Sequence, residues 1–196
     1  MNSLLRLLQP RLLAVALTVL RTWLAWQWLN SGLHKLSDPA WMDGSGRGLL
    51  AFWKTALGTN PHGGAVITYD WYRAFLQFLV DAHAETWFAR LIASGESAVG
   101  LGLLLGALVP LAALGGLTMN LSYMLAGATS VNPVLGLAAG ILLANRGAAG
   151  VLGLDGLQAW LLGGRLAPRP TAALRWCWAA LASLEHLPVD RPLIVE

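Results

Sequence analysis

The stretch from Leu91 to Asn145 reads LIASGESAVGLGLLLGALVPLAALGGLTMNLSYMLAGATSVNPVLGLAAGILLAN, with one carboxylate, Glu96, and neither Lys nor Arg. Breaks at Val109-Pro110 and at Ser130-Val131-Asn132-Pro133 divide it, because proline lacks an amide hydrogen and does not continue a helix. The spacing predicts three apolar helices over 87–108, 111–129 and 133–149, near the roughly 20 residues that cross a bilayer. Gly102-x-x-x-Gly106 and Gly136-x-x-x-Gly140 place small residues one turn apart, which lets helix backbones approach closely in lipid.

Upstream, residues 12–33 read LLAVALTVLRTWLAWQWLNSGL, preceded by Arg6 and Arg11. Basic residues before an apolar run resemble a secretory signal, but no small-x-small cleavage site follows Leu20, so a retained first span over 12–36 is expected. The whole chain agrees with this. Of its 196 residues 56% are hydrophobic and 12% charged, against about 25% charged in soluble domains. That composition does not suit an ordinary soluble enzyme, and it excludes a disordered chain. The expected fold is all-α, an integral membrane four-helix bundle spanning residues 1–163, followed by a peripheral cytoplasmic tail over 164–196 with a helix at 171–186.

Between spans 1 and 2 lies an insert, 38–86, in which charged residues alternate with Trp41, Trp53, Tyr69, Trp71 and Tyr72. Gly/Pro breaks divide it into helical candidates at 46–57 and 69–84. Trp and Tyr favour the membrane–water boundary, so the insert is expected to cap the bundle from the outer side. Arg6, Arg11, Arg146, Arg165 and Arg169 place the termini in the cytoplasm of a multi-pass plasma-membrane protein. The net charge is +3, but the basic residues are scattered and make no nucleic-acid face; the expected partners are the lipid bilayer and a soluble or membrane oxidoreductase subunit. The single Cys177 cannot make an internal disulfide, a CxxC pair or a thiolate metal cage. Only His34 borders a span, while His62, His83 and His186 fall outside, so neither a haem nor a metal site is expected.

A polar residue within a span is costly unless it is paired or wet. Gln27, Glu96 and Asn120 each lie about nine residues in from the outer end of their predicted spans, roughly 13 Å deep at 1.5 Å per residue. Arg21 lies further in, within a long side chain's reach of Glu96, so an Arg21–Glu96 bridge is expected. Asn30, Ser31 and His34 follow Gln27 at helical spacing, Tyr123 lies one turn outward of Asn120, and Asn132 closes the outer mouth. Asn120 and Gln27 serve equally as helix-to-helix hydrogen-bond partners, and Arg21–Glu96 equally as a structural bridge.

The first-span stretch Arg21-Thr-Trp-Leu-Ala-Trp-Gln-Trp-Leu-Asn-Ser-Gly32-Leu-His-Lys35-Leu, the glycine-rich Gly95-Glu96-Ser-Ala-Val-Gly100-Leu-Gly-Leu-Leu-Leu-Gly106 and the later Gly153-Leu154-Asp155 resemble, in order and spacing, the DoxX/DoxD family of four-span membrane proteins. The matching positions are Arg21, Gly32, Lys35, Glu96 and Asp155. The resemblance covers roughly 12–157. It implies a membrane subunit of a quinone-linked oxidoreductase, such as the small subunit of thiosulfate:quinone oxidoreductase. On that expectation a quinone head group lies near Glu96, Asn120, Tyr123 and Gln27, with Glu96 as proton carrier and Arg21 holding it charged. Asn30, His34, Lys35 and Asn132 complete the ligand-binding set. The alternatives are a small-anion or lipid carrier using Arg21 and Lys35, and a membrane anchor whose insert docks a partner enzyme.

Overall fold

A three-to-four-residue alternation of buried and exposed positions organises the chain. The computed structural model describes residues 2–59 and 67–162, which form nine α-helices and no strand. The predicted tail helix at 171–186, with Cys177, and the break around His62 lie outside the described residues.

Helix α1 runs Asn2–Ser37. Leu17, Arg21, Leu24 and Trp28 are buried along one stripe, while Leu12, Val15, Val19, Trp23 and Trp26 are exposed on the other. The same pattern marks α5 (Glu85–Leu105), where Ala89, Ala93, Glu96, Val99 and Leu103 are buried and Leu101, Leu104 and Leu105 exposed. Apolar side chains in contiguous exposed stripes are foreign to a protein surrounded by water. They suit acyl chains.

α5 packs along α1, then α6 (Val109–Leu125) against α5, and α7 (Asn132–Ala144) against α6 and α1. A shared core of Leu24, Trp28, Leu103, Val109, Ala113 and Leu142 joins all four. The α1–α5 contact is as close as backbones allow. A Cβ on Gly32 would stand 2.6 Å from the Ser97 amide nitrogen, and one on Gly100 2.7 Å from that of Leu29. These approaches set an antiparallel register with Glu96 near the level of Ser31 and Arg21 near the α5–α6 turn.

That turn is tight. Gly106, in the left-handed region, caps α5, and α6 begins at once with Pro110 in its first turn. The predicted 133–149 segment is interrupted: α7 ends at Ala144 and the short α8 (Arg146–Ala149) follows. Asn145 turns its side-chain amide back onto the Ile141 carbonyl at that break. α9 (Leu154–Leu161) ends the described chain. Arg11–Ser37 and Glu85–Leu105 are long and apolar enough to cross a bilayer, whereas α6 and α7 are shorter apolar helices.

The insert is more than a surface strap. α2 (Pro39–Met42), N-capped by Asp38, α3 (Arg47–Leu57) and α4 (Asp70–Asp81) enclose a second core of Leu49, Trp53, Tyr72, Leu76 and Ala89. The Tyr72 hydroxyl donates to the Ser122 carbonyl at 2.8 Å, tying α4 to α6. Burial pushes that phenol above its ordinary range.

Adding one methyl group at the helix crossing tests its closeness. Gly32→Ala is expected to lower stability by about 1–3 kcal/mol, as overpacking does. Gly140→Ala, where nothing stands within 4 Å, is expected to leave it unchanged or slightly raised; thermal melting in detergent checks both.

Candidate functional site

Ser31 and Lys35 lie four residues apart on α1 and so share one face. On the opposed face of α5 stands Glu96, 1% exposed. Lys35 Nζ lies 2.6 Å from Glu96 Oε2 and donates as well to Ser31 Oγ at 2.7 Å. Ser31 Oγ donates to the same carboxylate oxygen at 2.9 Å. From α6 the Tyr123 hydroxyl donates to Glu96 Oε1 at 2.5 Å. Three helices therefore converge on one buried carboxylate and satisfy both its oxygens.

The Lys35 side chain is 17% exposed, so the cluster touches its surroundings through the ammonium. Over that ammonium sits the Trp41 ring, 5.2 Å from Nζ to centroid, in cation–π range. Phe52 of α3 meets the Tyr123 ring edge-on, with centroids 6.2 Å apart. Both aromatic rings come from the insert. Its Trp and Tyr were expected at the membrane boundary, and nothing in the spacing marks Trp41 or Phe52 as neighbours of the charged cluster.

Arg21 does not bridge to Glu96. It is buried, and its Nη2 donates to the Leu152 carbonyl at 2.9 Å. Ten residues separate Arg21 from Ser31, about 15 Å of helix, which is beyond the reach of the guanidinium. Arg21 instead faces Asp155, whose charge acts on it. The Asp155 carboxylate accepts the Leu108 amide at 2.6 Å and the Val109 amide at 2.9 Å, a negative cap on the positive end of α6. The positions shared with the DoxX/DoxD pattern thus sort into two groups, Gly32, Lys35 and Glu96 at one end of α1 and Arg21 with Asp155 at the other.

The remaining predicted residues divide. Asn120 is 0% exposed, and neither its Nδ2 nor its Oδ1 has a partner within the protein. Helix-to-helix hydrogen bonding therefore does not account for it. The indole Nε1 of Trp28 is likewise buried and unpartnered. An unsatisfied buried polar group costs about 1–3 kcal/mol. Gln27 is half-buried, one turn inward of Ser31, rather than level with Glu96. Asn30 and His34 are exposed: at 100° per residue they rotate away from the Ser31–Lys35 face and join no polar path. Asn132 donates from Nδ2 to the Ala128 carbonyl at 2.6 Å, locking its own turn.

These features define an integral membrane protein, all-helical where described, with a lysine–carboxylate–tyrosine cluster buried beneath a helical cap. The chain belongs to the DoxX family, whose model matches residues 16–128. That range holds Lys35, Glu96 and Tyr123 and ends before Asp155. Neither a curated protein nor a solved structure matches the chain.

Lys35→Met strands a buried carboxylate and is expected to cost about 3–5 kcal/mol. Adding Glu96→Gln to it is expected to recover much of that loss, read as melting temperatures of the two variants. At the other end, Asp155→Ala both uncaps α6 and removes the charge that acts on the buried Arg21, and is expected to cost more than the about 1 kcal/mol of a lost cap, measured by the same melts.

Proposed function

We propose that the chain is the membrane subunit of a quinone-linked oxidoreductase and that the Glu96 cluster receives the quinone head group. The observation that carries this is the full burial of Glu96 with its oxygens shared among Lys35, Ser31 and Tyr123. Membership of a family often linked to quinone oxidoreductase subunits supports it.

Reduction of a quinone to a quinol takes up protons together with electrons. The electrons come from a bound cofactor or a partner subunit, with a sulfur compound such as thiosulfate as the donor class the DoxD resemblance suggests. This chain's residues handle the protons. Glu96 holds one as a neutral acid or releases it as a carboxylate, and a group able to exchange a proton at its station is what general acid catalysis requires. Lys35 takes the place expected of Arg21, its ammonium paired with the Glu96 carboxylate. Tyr123, hydrogen-bonded to Glu96 Oε1, lies between the acid and a quinone oxygen and passes the proton on. α1, α5, α6 and α7 act in this proposal as four spans, with the termini cytoplasmic and the cap outward.

The small-anion alternative draws on Arg21, whose buried Nε and Nη1 have no partner within the protein, whereas Lys35 is paired with Glu96. Anchoring of a partner enzyme draws on a separate feature, the exposed Trp71, Phe75 and Phe78 of α4, and is compatible with quinone binding.

Quinone-linked electron transfer by the intact complex is expected to fall at least about 100-fold in Glu96→Gln, the scale of losing a general acid. Unchanged turnover in a variant that still assembles would remove Glu96 from the chemistry.

A further inference from the structure

Three described side chains inward of Glu96 keep buried polar atoms that no group in the protein uses: Arg21 at the far end of α1, and Trp28 and Asn120 nearer the carboxylate. Trp28 is 2% exposed with its Nε1 unpartnered, and Asn120 is 0% exposed with Nδ2 and Oδ1 both unpartnered. They are close neighbours. The Trp28 indole lies against Gly116, its Nε1 3.1 Å from where a Cβ would stand, and Gly116 is one turn from Asn120 on the same face of α6. Asn120 is in turn one turn from Tyr123, as Trp28 is from Ser31, so the pair forms a second polar layer beneath the first. On its far side a Cβ on Gly136 of α7 would stand 4.0 Å from the Asn120 Cβ, in ordinary contact.

Below this layer the interior is apolar, with Leu24, Ala25, Leu103, Ala113 and Leu142 all at 0% exposure. The Trp28 indole nitrogen and the Asn120 amide border the same stretch of α6 at Gly116, with the buried Arg21 two turns further in along α1. Their chemistry is complementary to a single oxygen atom: the indole N–H and the amide N–H each donate to it, and the amide Oδ1 accepts when that oxygen carries a hydrogen. A carbonyl oxygen satisfies the donors, and a hydroxyl satisfies all three atoms.

We infer that Trp28 and Asn120 form an oxygen-binding station about one helical turn inward of Glu96, gripping one oxygen of the quinone or quinol ring. This rests on the quinone reading above. The station binds the quinol more fully than the quinone, because only the hydroxyl uses the Asn120 Oδ1, and so favours the reduced form at this site.

The test is a titration of the full-length protein in nanodiscs with a short-chain benzoquinone and its quinol. Dissociation constants are measured for the wild type, Asn120→Leu and Trp28→Phe, alongside melting temperatures without ligand and the indole N–H resonance of Trp28. Trp28→Phe is expected to weaken quinol binding by about tenfold, the scale of one hydrogen bond, and Asn120→Leu, which removes two, by more. Ligand-free melting is expected to stay level or rise, since no internal bond is lost, and the Trp28 resonance to shift on adding quinol. Wild-type affinity in both variants, with an unmoved Trp28 resonance, would overturn the station and leave quinone binding intact. Lower ligand-free melting with wild-type affinity would assign the atoms to internal water and also overturn it. Failure of the wild type to bind either form would overturn the quinone reading and the station together. If one variant does not fold, the other variant and the wild-type Trp28 resonance decide.

Discussion

The close antiparallel contact between α1 and α5 is the constraint on which the remaining structure depends. Gly32 lies on Ser97 and Gly100 on Leu29, so at each crossing one helix contributes no side chain and the backbones come close. Contact at that distance allows one register. The register brings Glu96 to Ser31 and Lys35 and leaves Arg21 at the α5–α6 turn, so the ionisable groups of α1 sort to opposite ends. The tight turn at Gly106, held by Asp155, then returns α6 along α5 and delivers Tyr123 to the same carboxylate.

Placing a carboxylate inside an apolar bundle is unfavourable unless its hydration is replaced. Here an ammonium and two hydroxyls replace it, and the insert completes the enclosure with Trp41 over Lys35 and Phe52 against Tyr123. The insert also has its own core and a hydrogen bond to α6 through Tyr72. It is thereby part of the site's construction, and movements of the cap act directly on the groups that hold Glu96. The contrast one turn deeper is sharp: the Glu96 layer is internally satisfied, and the Trp28–Asn120 layer is not. A bundle that needed only stability would place apolar side chains at those two positions.

Much of this was legible in the chain. The absence of Lys and Arg from Leu91 to Asn145 and the proline breaks mark apolar helices because backbone and side-chain solvation leave no alternative in lipid. Glu96 stands out as the one carboxylate in that stretch, and Lys35 and Gly32 stand out by their resemblance to the DoxX/DoxD pattern. The helices of the insert fall where the Gly and Pro breaks place them, since those residues act through local backbone geometry.

What only the tertiary structure decided is which polar group meets which. Helical spacing gives the angle between residues of one helix, so it could relate Asn30 to His34 and Asn120 to Tyr123. It carries no information on how far one helix is turned or slid against the next. That is set by the fit of distant residues, Gly32 against Ser97 above all. A slide of little more than a turn separates the expected Arg21–Glu96 bridge from the observed Lys35–Glu96 pair. The composition and periodicity of the sequence determined an all-helical membrane protein with a buried acid; the contact of two glycines with the opposing backbone decided the partner of that acid and left Trp28 and Asn120 without one.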